Sequence, residues 1–224
     1  MVEIDYVSRE QMERIDEKVP EEYGITISRM MENAGFQIAE FVRREIDPES
    51  IAVYAGKGNN GGDALAAARR LYLWGYDVEV VLATRELDGI RKQELLILEN
   101  LDVKISDQSA EKECEVVLEG LIGYNLEGDP RPPFDSMIEE INSHNTVISI
   151  DIPAGLDPDT GEKTVPAVEP DYTVTLAAPF DGLDENNSGE VWIADISIPP
   201  EAYQDFVFSM DIFGKSSLVR MVNP

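Results

Sequence analysis

The chain has 224 residues, 43% of them apolar, enough for one sizeable α/β domain with a full core. Its 45 acidic and 18 basic residues leave a net charge of −27, a field that makes nucleic acid and anionic membranes poor partners. The single cysteine, Cys114, excludes an internal disulfide and a cysteine-rich zinc site, and the single histidine, His144 in a polar turn, argues against a histidine metal centre or triad.

The first residues, MVEIDYVSREQMERIDE, are acidic and polar, unlike a signal or transit peptide. No apolar run reaches the ~18 residues that a bilayer requires, so a cytoplasmic location is expected. Acidic residues are spread along the chain rather than gathered in a tail. That distribution points to a salt-rich, halophilic cytoplasm, where ions screen the self-repulsion, with a merely acidic mesophilic protein as the alternative.

In chain order, Ser8-Arg9-Glu10-Gln11 reads as a capping box opening a helix to about Lys18, ended by Pro20 and Gly24. Ile27, Met30, Met31, Ala34, Ile38, Phe41 and Val42 share one face of a second helix to about Glu45, with the methionines read as core. The small and polar run Glu32-Asn33-Ala34-Gly35 interrupts it and reads either as a close helix contact near a site or as nothing in particular. Strands are expected over 51–55, 78–83, near Val103 and Ile105, over 115–118, 147–150, 172–176 and 191–194. Helices are expected over 63–74, 89–100 and 134–143, with a short one from Pro199. This alternation predicts the α/β class, a mostly parallel sheet with helices on both faces.

Ligands of such sheets bind at the carboxyl ends of strands. Three stretches there carry polar or glycine-rich chemistry: 56–63, 119–129 and 151–157. The first, Gly56-Lys57-Gly58-Asn59-Asn60-Gly61-Gly62-Asp63, joins a strand to a helix and satisfies the G-x-G-x-x-G spacing of a phosphate cradle. A phosphate cradle alone has no use for Asp63, whose charge repels a phosphate; a ribose hydroxyl, the turn or the helix N-terminus are the alternatives. In the third stretch Asp151 follows the apolar run VISI directly, well placed for acid–base work or for a ribose.

These motifs together resemble the YjeF N-terminal domain family, the NAD(P)H-hydrate epimerases. The likeness runs through SREQMERID, RMMENAG, AGKGNNGGD, GLIGYNLEGDPRPPF, SIDIPAGLDPDTGE and GEVWIADISIPPEAY, nearly the whole chain. It implies a Rossmann-like three-layer α/β/α sandwich, residues 1–224 forming a single such domain without a fused dehydratase. The activity implied is interconversion of the R and S epimers of NADHX and NADPHX, a metabolite repair in which a separate dehydratase consumes one epimer. A non-catalytic binding or scaffold domain of the same fold, or an NAD-dependent dehydrogenase, are the alternatives.

By the same resemblance Asn59, Asn60, Gly61, Gly62 and Asp63 line the nucleotide site. Gly123, Tyr124, Asn125, Leu126, Glu127, Gly128 and Asp129 contact the substrate, and Asp151 is the catalytic acid and base. A potassium ion is implied on Asn60, Glu119 and Ala154, and a homodimer through the N-terminal helices. The chain departs from the family pattern at Glu119 (usually Asp), Ala154 (often Ser or Thr), Ala64 (often Gly) and Phe180 (often Lys).

Overall fold

The computed structural model describes residues 5–126, 128–204, 212–214 and 216–221. One eight-stranded sheet has the order β3-β2-β1-β4-β5-β6-β7-β8. Its strands are β1 (Ser50–Ala55), β2 (Asp77–Leu82), β3 (Lys104–Asp107), β4 (Val116–Gly120), β5 (Val147–Ile150), β6 (Tyr172–Leu176), β7 (Glu190–Ala194) and β8 (Leu218–Arg220). All neighbours pair in parallel except β7 and β8. The order reverses between β1 and β4, so the loops after these two strands diverge and open a crevice at their carboxyl ends.

β1 and β4 are covered on both faces and accordingly apolar. On one face lie α1 (Arg9–Tyr23), α2 (Ile27–Phe41), α3 (Asn59–Leu73) and α4 (Gly89–Asn100), burying Ile15, Ile38, Leu65 and Leu98 with Ile51 and Val53. On the other face α5 (Phe134–Ile141) buries Met137, Ile138 and Ile141 against Ala52, Tyr54 and Val117. The α/β sandwich expected from the alternating pattern is therefore present.

Gly35 lies where α2 crosses α3, and a Cβ there would stand 2.6 Å from the Ala66 Cβ. The small-residue interruption is thus a close helix contact.

Several boundaries differ from expectation. Pro20 does not end α1; burial of Met12, Ile15 and Val19 carries the helix on to Gly24, which closes it with a left-handed φ of 67°. α2 runs into a π-helical turn, Val42–Ile46. α3 starts at Asn59, not at 63, with Gly58 as its N-cap, so both asparagines lie in its first turn and Asp63 does not cap it. β4 extends through Glu119 to Gly120. The short helix α6 (Glu185–Ser188), opened by an Asp184–Asn187 capping box, and the antiparallel β8 had no clear signal in the sequence.

The N-terminal segment is tied to the loop that follows β6. Val7 forms a parallel bridge to Phe180, with its N–H donating to the Pro179 carbonyl at 2.9 Å. That bridge carries α1 over the crevice.

Candidate functional site

A cavity of about 730 Å³ occupies the crevice, walled by the loops after β1, β4, β5 and β6 and covered by α1 and α2. All three stretches singled out from the sequence reach it. From the first come Lys57, Gly58, Asn59, Asn60 and Asp63; from the second Gly123, Tyr124, Asn125, Leu126 and Asp129; from the third Asp151. Gly61 and Gly62 stand behind the wall. A Cβ on Gly61 would lie 2.0 Å from the Gly56 carbonyl oxygen, so glycine is what allows the helix to start this close to β1. Gly128 is exposed and does not line the cavity. Glu127 lies outside the described residues. Asp157 turns away, holding its own loop through Thr160 and pairing with Arg9 at 3.3 Å.

Asp151 leaves β5 in the left-handed conformation, φ 64°, which turns its carboxyl back into the fold. There the side chain accepts a hydrogen bond from the Leu176 N–H at 3.2 Å. Burial pushes its pKa up to about 7; the Leu176 N–H opposes this and the nearby Asp16 charge reinforces it. Asp63 is 8% exposed and held well above the usual carboxylate range by burial, then by the charges of Asp151 and Asp16. The cavity thus gathers carboxyls whose burial favours the protonated form, and Asp151, near neutrality, is in the setting where one group can act as both acid and base.

The asparagines are fixed by their neighbours. Arg91, on α4, donates from Nη1 to Asn59 Oδ1 at 2.7 Å. Asn60 Nδ2 donates to the Ile122 carbonyl at 3.3 Å, and its Oδ1 is buried without a donor.

Beneath the floor lies Glu119, fully buried in β4. It accepts from the Leu121 N–H at 2.7 Å, the Ser149 hydroxyl at 2.9 Å and the Ala154 N–H at 3.3 Å. Burial nevertheless raises its pKa to about 7. Asn60, Glu119 and Ala154 therefore meet around the Leu121–Ile122 backbone. An orphaned amide oxygen and a buried carboxyl without a cationic partner suit a cation. The Ala154 carbonyl already accepts from the Val168 N–H, leaving one lone pair for such an ion.

Met30 and Met31 are core residues and also cover the cavity, so the packing reading of the pair is half of their role. Phe180, fully buried, stacks on Tyr124 with ring centroids 5.3 Å apart. Sequence reading missed Met12 and Asp16 of α1, Arg131 and Ala177, all of which line the cavity. For Asp16 one signal existed: it adjoins the buried stripe of Met12, Ile15 and Val19.

Comparison with known proteins agrees with this geometry. The family model described as YjeF-related protein N-terminus matches residues 27–182. The chain is 38% identical to an NAD(P)H-hydrate epimerase of Cenarchaeum symbiosum, over 88% of this chain and 97% of that one. It is 36% identical to an NAD(P)H-hydrate epimerase of Dehalogenimonas lykanthroporepellens, over 86% and 82%. It is 37% identical to a bifunctional NAD(P)H-hydrate repair enzyme of Hyperthermus butylicus, but spans only 36% of that protein's length. The crystal structure of yeast ynu0 superposes with a TM-score of 0.85 at 25% identity, covering 97% of this chain and all of that one.

Proposed function

The chain belongs to the YjeF-related N-terminal family, and we propose that it is an NAD(P)H-hydrate epimerase, an isomerase interconverting the R and S epimers of hydrated NADH and NADPH. One observation carries this reading: Asp151, buried at the end of β5 with a pKa of about 7, lines a cavity large enough for a nucleotide's reacting end. In the hydrate a hydroxyl stands on C6, next to the ring nitrogen. Protonated Asp151 gives its proton to that hydroxyl, the C6–O bond breaks, and water leaves with the bonding pair. The nitrogen lone pair compensates, so the ring becomes an iminium cation. Water then adds to the opposite face of C6 and returns a proton to the Asp151 carboxylate. Nothing is oxidised or reduced, and a single carboxyl with a pKa near neutrality serves both directions.

The N-terminus of α3 and the Asn59 amide would bind the nucleotide phosphates, with Asp63 and the 123–129 loop about the sugar and ring. A potassium ion would be held by Asn60 and Glu119, with the Ala154 carbonyl as a further donor; when bound it supplies a fixed positive charge. The reading also includes a dehydratase that consumes one epimer, and a homodimer joined through the N-terminal helices, where Ile27 and Phe36 are exposed. A cytoplasm rich in salt completes it, consistent with the charge of −27.

The direct test is stereochemical. R-NADHX is mixed with the protein at high potassium chloride and formation of the S epimer is followed by chromatography. Conversion well above the spontaneous rate is expected, and it should vanish in Asp151→Asn. A folded protein that leaves the spontaneous rate unchanged would end the epimerase reading.

A further inference from the structure

Charge is sorted along the cavity. Lys57 and Arg131 stand exposed at its mouth, with one exposed acid, Asp129, whose carboxylate accepts from the Val165 N–H, whereas Asp63 and Asp151 lie at its buried end, 8% and 9% exposed. No hydrogen bond or ion pair from a described residue reaches the Asp63 carboxyl, although it is buried against the cavity. A third carboxyl arrives from α1. Asp16 Oδ2 accepts the Tyr124 hydroxyl at 2.6 Å, across 108 residues of chain.

That hydrogen bond dictates what Tyr124 can offer. A carboxylate accepts only, so the single phenolic hydrogen goes to Asp16. The Tyr124 oxygen is left with lone pairs and no hydrogen to give. Its ring is held from behind by Phe180, which is itself held by the Val7 bridge. Both partners of the Asp16–Tyr124 pair line the cavity, and Tyr124 feels the charge of Asp151 as well as that of Asp16. Glu13, on the exposed side of α1, adds a further negative charge near Asp16.

We propose that Asp16, acting through Tyr124, makes the buried end of the cavity a receptor for a cationic ring, with Asp16 as a positioning residue for the reaction. A ring that is neutral in the ground state and positive midway through the reaction gains most from such a wall, because the acceptors are already oriented when the charge appears. The cations at the mouth complement the other end of the ligand, a diphosphate. The proposal deepens the epimerase reading and rests on its iminium intermediate. It also explains the N-terminal segment: Val7 and the Ser8 capping box anchor a helix whose inward carboxyl completes the site.

Equilibrium binding tests this without turnover. NAD+ and NADH share every group at the mouth and differ in the charge of the ring. The wild type is expected to bind NAD+ more tightly, by about tenfold for one well-placed charge. In Asp16→Asn, which keeps the shape and removes the charge, the NAD+ preference should shrink several-fold, while Asp16→Glu retains most of it. Tyr124→Phe keeps the ring on Phe180 and removes the acceptor, and its preference should shrink as well. Thermal melts of each variant establish that it is folded. A purely structural pair would leave the ratio of the two dissociation constants unchanged in Asp16→Asn or in Tyr124→Phe. That result, or a wild type without preference for NAD+, overturns the proposal. Loss of epimerisation with an intact, Asp16-dependent NAD+ preference would instead remove the epimerase reading and leave the cation receptor standing.

Discussion

Asn59 and Asn60 are neighbours in the first turn of α3, and their amides are fixed in opposite senses. Asn59 has its oxygen engaged by Arg91 and is left with N–H groups to donate; Asn60 has an N–H engaged by Ile122 and is left with an oxygen to offer. One sequence pair thus presents a donor for an anion and an acceptor for a cation or hydroxyl, which explains why a plain phosphate cradle does not account for it. Arg91 also pairs with Asp88, which anchors it to its own helix.

Arg91 is therefore expected to set the affinity for the nucleotide without touching the chemistry. In Arg91→Ala the Asn59 amide is free to turn its oxygen toward the phosphates. KM for the hydrate should rise about 3–10-fold, the effect of about one ordinary hydrogen bond, because the freed amide can still turn back to donate, with kcat within about twofold. Steady-state kinetics with a titration of NADP+ checks this, and a fall in kcat at constant KM would contradict it.

Asp151 costs the fold stability at neutral pH. Its carboxyl has an ordinary value of 3.8 and a value of about 7 in the fold. Between these the folded chain keeps a proton that the unfolded chain has released, so stability falls as pH rises through the window. Asp151→Asn removes that loss, and asparagine tolerates the φ of 64°. The variant should be more stable than the wild type above pH 7, by something on the order of 2–4 kcal/mol, and equal to it below pH 4. Its turnover should fall at least about 100-fold. Denaturant titrations at both pH extremes, compared by difference so that Glu119 cancels, decide the matter.

Much of this was legible before the fold was known. VISI followed by Asp151, and IAVYA followed by a glycine-rich turn, are strand ends whose chemistry is local, and the parallel topology carries them to one crevice. What escaped was set by long-range contacts. Asp16 adjoins the apolar stripe of an acidic helix, but nothing local points to its partner Tyr124, 108 residues away. Arg91 matters only because α4 packs beside the start of α3. Pro20 misled because a local rule yielded to burial of Ile15 and Val19 on the same helix. β8 is three residues long and pairs only at its tertiary address, so no periodicity announces it.

Glu119 should couple the fold to potassium. Gln at this position keeps the size but carries no charge, and its NH2 must face either the Leu121 N–H or the Ser149 and Ala154 donors that now bond the two carboxylate oxygens. In the wild type, exchanging choline chloride for potassium chloride at constant ionic strength should raise the melting temperature by several degrees, about 1–2 kcal/mol of bound-ion stabilisation. Glu119→Gln should lose that increment. Equal melting in the two salts for the wild type would refute a potassium site here.

Gly35 sets the distance between α2 and α3. A methyl group there would meet the Ala66 Cβ at 2.6 Å and the Ala66 carbonyl carbon at 2.8 Å. Gly35→Ala should therefore destabilise by about 1–3 kcal/mol through overpacking, despite the better helix propensity of alanine. Because Met31 and Ala34 on the same helix cover the cavity, the shift should also weaken nucleotide binding. Urea titration reads the first effect and calorimetry with NADP+ the second; a variant more stable than the wild type would show that the crossing can open freely.

The surface charge predicts how salt acts. With 45 acidic and 18 basic residues, the folded chain repels itself more strongly than the expanded one. Surface ion pairs such as Arg43–Glu40 and Arg220–Glu190 weaken in salt, but each contributes only about 0–1 kcal/mol, and most acids have no cation to pair with. Screening of the repulsion wins that comparison. The melting temperature should climb steadily as sodium chloride rises from about 0.1 M to 1 M, where the Debye length shrinks from about 10 Å to about 3 Å. Potassium chloride should give the same climb displaced upward by the increment assigned to Glu119, so the two salts separate general screening from the specific ion. A melting temperature that is flat or falls with sodium chloride would mean that the ion pairs outweigh the repulsion, and the halophilic reading of the composition would fall with it.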